Sequence, residues 1–94
     1  MRNMPSDGMY EAEFDQEWPE YFQPLANAVK ERVAKKIKKL LEYPQKRHLK
    51  KLSFFVDEIG QYRIIYRVFE ENKRVRFYFV GNHKEYEKWY KKVF

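Results

Sequence analysis

Gly60-Gln-Tyr-Arg-Ile-Ile-Tyr66, then a charged turn, Arg74-Val-Arg-Phe-Tyr-Phe-Val-Gly81 and finally Asn82-His-Lys-Glu-Tyr86 form the stretch whose reading decides the fold. Two runs of alternating polar and apolar residues, rich in β-branched and aromatic side chains, flank the polar loop Glu70-Glu-Asn-Lys73 and so read as an antiparallel hairpin. Period two sets Tyr62, Ile64, Tyr66 and Val68 on one face of the first strand and Arg63, Ile65, Arg67 and Phe69 on the other. On the second strand Val75, Phe77 and Phe79 alternate with Arg74, Arg76, Tyr78 and Val80. The pattern predicts that Val75, Phe77 and Phe79 face a helix, while Arg76 and Tyr78 join Arg63 and Arg67 on a basic, aromatic face.

Upstream, Ser53 to Ile59 is strand-like and Gly60 turns the chain back, which makes a three-strand meander. Residues 84–93 carry Tyr86, Trp89, Tyr90 and Val93 at helical spacing, as a short helix laying aromatics on the sheet would. A longer helix is predicted from Pro24 to Tyr43, with Leu25, Val29, Val33, Ile37 and Leu40 or Leu41 as its apolar stripe and Pro44 as its stop. Lys30, Lys35, Lys36, Lys38 and Lys39 lie opposite the stripe, where a solvated face needs no further function. Gln45 to Leu52 is a basic connection. Met9 to Phe14 alternates as a short strand, Pro19 opens a short helical piece, and residues 1–8 read as a loose tail ahead of a single domain over 9–94. The fold class is therefore α+β: strand, one or two helices, antiparallel meander and short C-terminal helix, with helices packed on one face of the sheet.

Ninety-four residues support one core and one active surface. The absence of cysteine excludes disulfides and thiolate zinc sites, and two histidines argue against a multi-histidine metal site, so no metal and no cofactor are expected. No apolar run is long enough for a membrane span and no signal peptide is evident, which points to a soluble cytoplasmic protein without a membrane partner. The formal net charge of +6 suits a polyanion, nucleic acid first and an acidic protein second. A lysine- and glutamate-rich solvated surface is the plainer alternative.

Arginine suits phosphate because its planar fork makes two parallel hydrogen bonds and keeps its charge. Each of these arginines could instead pair with Glu58, Glu70 or Glu71. His83, two residues beyond the expected end of the last strand, is the one histidine placed to act as an acid or base, although capping or packing would also account for it. Tyr86 lies on the same side of the helix three residues on, or belongs to the core with Trp89 and Tyr90. RNA carries its own nucleophile, the 2′-hydroxyl. Arg63 could stabilise the charge that develops, His83 could move a proton, and Lys50, Lys51, Lys84, Arg67 and Arg76 could hold flanking phosphates.

Tyr62-Arg63-Ile64-Ile65-Tyr66, following His48-Leu49-Lys50 and ending in Gly81-Asn82-His83-Lys84-Glu85-Tyr86, resembles the RelE/ParE superfamily of toxin–antitoxin toxins, the last run being closest to the HigB-like branch. The resemblance covers roughly Tyr10 to Tyr90. It implies a RelE-like fold and an mRNA interferase that cuts messenger RNA on the ribosome by 2′-hydroxyl attack, restrained by a cognate antitoxin. Arg63 matches the family's phosphate-contacting arginine, His83 stands where members place an arginine or histidine, and Tyr86 is near the functional tyrosine, with Trp89 or Tyr90 as alternatives. Where active members carry charged residues along the preceding strand, this chain has Phe54, Phe55 and Val56. Asp57 and Glu58 remain there as proton acceptors. A ParE-like gyrase inhibitor and a basic RNA-binding module without toxicity are the other readings.

Overall fold

In the computed structural model the residues described are 9–43 and 54–93. The elements run β1 (Glu11–Phe14), α1 (Trp18–Phe22), α2 (Asn27–Glu42), β2 (Phe55–Ile59), β3 (Tyr62–Phe69), β4 (Arg74–Asn82) and α3 (His83–Val93). The meander expected from Ser53 onward is present as β2, β3 and β4. The strand read over 9–14 completes a four-stranded sheet of order β1-β4-β3-β2, with β1 parallel to β4 and the other pairs antiparallel. Residues 1–8 and the basic connection, including His48, Lys50 and Lys51, lie outside the described residues.

Local chemistry accounts for the boundaries. Pro19 sits in the first turn of α1, where its missing N–H costs nothing. Pro24 was expected to open the long helix, but α2 begins at Asn27 after an extended Ala26 (ψ 151°). Leu25 N–H donates instead to the Phe22 carbonyl, so Pro24 belongs to the turn between the helices. Gly60 opens the two-residue β2–β3 turn with φ +59°, the left-handed conformation that such a hairpin asks of its first position.

The central strand β4 is buried on both faces. On one side α1 and α2 deliver Trp18, Val33 and Leu40 against Phe55, Ile59, Ile64, Tyr66, Val75, Phe77 and Val80. On the other, α3 delivers Trp89 against Val56, Ile65 and Phe79. The helices expected on one face are thus α1 and α2, and α3 crosses to the opposite face. Strict alternation would have sent Phe79 to the α2 side with Phe77. The pairing instead slips by one residue, from Ile65↔Phe79 to Tyr66↔Phe77, so Tyr78 is the extra residue of a β-bulge and Phe79 turns toward α3.

Both tyrosines of the Tyr62-x-x-x-Tyr66 spacing belong to the α2-side core; Tyr66 is fully buried, and burial pushes its phenol far above the usual range. Arg63, between them, points the other way.

A row of ion pairs fixes β1 to β4. Arg74 pairs with Glu13, and Arg76 reaches Glu13 at 3.4 Å and Asp15 at 3.0 Å. The Arg74 hydrogen bond is the largest influence holding the Glu13 carboxyl below its ordinary value of 4.5. A carboxyl depressed on folding adds stability that is complete above that ordinary value and is lost as pH falls through the folded-state value.

Two predictions follow from this packing. Phe77→Ala should lower the unfolding free energy by about 3–5 kcal/mol in urea denaturation, whereas Tyr43→Ala, at a side chain 80% exposed, should stay within about 0.5 kcal/mol. The melting temperature of Glu13→Gln should lie below that of the parent chain near neutrality, with the gap closing as pH is lowered below about 4.5.

Candidate functional site

On the α3 side of the sheet, Arg63 stands at the centre of a row. Its cross-strand partners are Glu58 on β2 and Gly81 on β4, so Glu58 and Arg63 share a face at one strand spacing, about 4.8 Å. Gly81 contributes no side chain to that face. A Cβ there would come within 2.7 Å of the Phe79 ring and 2.8 Å of a Glu85 carboxylate oxygen. Past this gap the Arg63 guanidinium lies over the Tyr86 ring, 4.9 Å from its centroid. Tyr86 is half-buried among Phe79 and Tyr90, and burial, partly opposed by Arg63, raises its phenol, which is therefore neutral at physiological pH.

His83 is the first residue of α3, immediately after β4, rather than two residues beyond the strand. The start of that helix is set by a reciprocal capping box. Glu85 N–H donates to Asn82 Oδ1 at 2.9 Å, and Asn82 N–H donates to Glu85 Oε1 at 2.8 Å. The cap is therefore Asn82, and His83 is left 63% exposed with Nε2 3.1 Å from Glu87 Oε2. Together with Tyr86, Tyr90 and Lys91 these two residues line a shallow depression of about 350 Å³. Tyr86 thus touches Arg63 and borders the depression that His83 also lines.

The remaining candidates separate. Arg67 is half-buried between two rings, 5.4 Å from Phe54 and 5.3 Å from Phe69. Phe54 packs edge-on against Tyr78 and Trp89 as well. Arg76 is on the same face, but Glu13 and Asp15 hold it in the β1 cluster. Of the two acids on β2, Asp57 faces α2, with Lys36 Nζ 3.2 Å from its carboxylate; it is removed from the Arg63 row. Lys84 is exposed in the first turn of α3. Trp89 is buried core, stacked on Phe79 at 5.6 Å, whereas Tyr86 lies against the Arg63 guanidinium. Glu87 beside His83 is a neighbour that the four-residue spacing on a helix could have signalled. Among the described residues no group of side chains is arranged to hold a metal ion. Nor is any of their helices long and apolar enough to cross a membrane.

A mixed four-stranded sheet with paired helices on one face and a terminal helix on the other is a fold this chain shares with toxins of type II toxin–antitoxin systems. The chain belongs to the family described as ParE toxin of type II toxin-antitoxin system, parDE, whose model matches residues 9–86. Comparison with curated proteins found no match. Solved structures similar to it include the isolated Escherichia coli RelE toxin, at 22% identity and TM-score 0.69, covering 90% of this chain and 99% of that one. The intact E. coli RelBE toxin–antitoxin complex matches at 24% identity and TM-score 0.70, covering 78% and 95%. The archaeal RelE–RelB complex of Pyrococcus horikoshii matches at 18% identity and TM-score 0.64, covering 79% and 94%. At these identities the likeness is one of fold.

The capping box yields a stability prediction. Asn82→Ala should cost about 1 kcal/mol, read as a lower melting temperature, because it frees the Glu85 N–H at the start of α3.

Proposed function

We propose that this toxin is an endoribonuclease that cuts messenger RNA, associated with the ribosome in the cytoplasm, by attack of the RNA's own 2′-hydroxyl. The observation that carries the reading is the Glu58–Arg63–Tyr86 row with His83 at the head of the helix that supplies Tyr86. An ionised carboxylate can only accept a proton, so Glu58 takes it from the 2′-hydroxyl as the new O2′–P bond forms. Arg63 stabilises the negative charge that builds on the phosphoryl oxygens, and the neutral Tyr86 hydroxyl adds a donor beside it. As the P–O5′ bond breaks, His83 gives a proton to the departing 5′-oxygen. The products are a 2′,3′-cyclic phosphate and a 5′-hydroxyl. No metal or cofactor enters the balance.

Arg67 and Lys84, with Lys50 and Lys51 of the basic connection, would hold neighbouring phosphates. Arg76 is the weakest of these candidates, since two carboxylates already neutralise it. The restraining partner is a cognate antitoxin, as the family description and the RelE–RelB complexes suggest.

A second reading, inhibition of DNA gyrase without RNA cleavage, draws on the ParE description of the family and on Phe54 and Val56, which fill the strand face next to the arginines with apolar side chains. Growth and message integrity after induction separate the two. Arg63→Ala should restore growth and reduce cleavage by about 100-fold or more, and His83→Ala should reduce it by about 100-fold. Growth arrest with intact messages and altered plasmid supercoiling would select the gyrase reading, and no arrest at all would leave a non-toxic basic RNA-binding module.

A further inference from the structure

We propose that Phe54, Arg67, Phe69 and Tyr78 form a stacking platform for unpaired bases of single-stranded RNA, where the α3-side sheet face runs on past the α3 core. The proposal deepens the RNA reading and takes from it only the class of ligand. Phe69 is the residue that core packing does not explain. It is a half-buried ring at the end of β3 that belongs to neither core cluster, and it meets Arg67, whose guanidinium lies 5.3 Å from its centroid. The same guanidinium lies 5.4 Å from the Phe54 centroid, and Phe54 stands edge-on to Tyr78 at 5.0 Å. Arg76 in turn lies over Tyr78 at 5.6 Å. Rings and guanidinium groups thus alternate across the sheet, and each of these side chains is half-buried, so each keeps surface open to a ligand. Phe54 and Tyr78 border the core that Trp89 fills, and Arg67 and Phe69 lie outside it.

The chemistry of this face selects the occupant. Every base has a π-face, and a base freed from pairing stacks on aromatic rings and on guanidinium planes, as on other sheet faces that carry aromatics. In a duplex those faces are already stacked on one another. Charge contributes less here than stacking does. Glu13 pairs with Arg74 and Arg76, Asp15 pairs with Arg76, and Glu11 is the cross-strand partner of Arg74. Arg67, opposite Arg76 in the β3–β4 register, leans on rings, which orient its guanidinium without cancelling its charge. It therefore takes the phosphate of the nucleotide whose base stacks beside it. Arg63 lies four residues back on the same face of β3, about 13 Å away at the rise of a strand. An RNA strand lying across Arg67 thus reaches the proposed reaction site within a few nucleotides.

The test is fluorescence anisotropy with a 2′-O-methyl RNA single strand and with the same strand in a duplex. The methylated strand lacks the attacking hydroxyl, so binding is read whether or not the chain cuts RNA. A 2-aminopurine placed in the strand reports stacking by loss of its emission. The parent chain should bind the single strand at least about tenfold tighter than the duplex and quench the probe. Phe69→Ala should weaken that binding about tenfold and release the quenching, with a melting temperature close to the parent's, while Phe69→Trp keeps both signals. Arg67→Gln should reduce the slope of log affinity against log salt by about 0.7, the loss of one phosphate contact. Equal affinity of parent and Phe69→Ala for the single strand, or equal affinity of the parent for single strand and duplex, would overturn the platform. Cleavage of unmodified RNA is scored separately. A parent chain that binds and quenches but does not cut keeps the platform and overturns the endoribonuclease reading. A parent chain that cuts, with Phe69→Ala binding and cutting as well as it does, overturns the platform and keeps that reading.

Discussion

The slip of register at Tyr78 is the constraint on which the rest of this molecule depends. Strand β4 lies between β1 and β3 and must fill a core on each face. A regular strand would put Phe77 and Phe79 on the same side, crowding the α2 core and leaving α3 without a ring to pack on. The extra residue lets Phe77 meet Trp18 and Tyr66 while Phe79 stacks on Trp89. Since α3 carries His83 and Tyr86, the bulge also decides that the acid–base candidate and the arginine row share one face. Large aromatic burial on both faces, about 25 cal/mol per Å², outweighs the hydrogen-bond disruption of a single bulge.

The Gly81-Asn82-His83-Lys84-Glu85-Tyr86 run then divides between residues that place the helix and residues that the helix presents. Gly81 is required by space, because Phe79 and Glu85 already occupy the volume a Cβ would need. Asn82 and Glu85 close the first turn of α3. These three residues place the helix, and His83 and Tyr86 are what the placed helix presents. A motif of this kind is informative because its structural members fix the direction in which its other members point.

Much of this was legible in the chain. Alternation identified the meander and gave Arg63, Ile65, Arg67 and Phe69 a common face, and apolar spacing found the long helix α2 and the short C-terminal helix α3. What escaped were features set by distant partners. The pairing of Arg76 with Glu13 and Asp15 requires β1 to lie parallel beside β4, and no local pattern encodes that neighbour. The bulge escaped because Phe-Tyr-Phe satisfies period two as well as it satisfies a slip, and only the presence of two hydrophobic cores distinguishes them. The Pro24 boundary failed for a local reason: proline is as good in the turn before a helix as in its first turn.

The arginines of the α3-side face are held in two different ways along its length. At the β1 edge, Arg74 and Arg76 are compensated by Glu13 and Asp15, whose carboxylates hold their guanidinium groups in place. Farther across the sheet, Arg63 and Arg67 lie against Tyr86, Phe54 and Phe69. A ring orients a guanidinium by its quadrupole without cancelling its formal charge, and it lowers the local dielectric beside it. The two edges of this face therefore hold their arginines by different means, carboxylates beside β1 and rings beside β3, with Glu58 next to Arg63 across the β2–β3 pair.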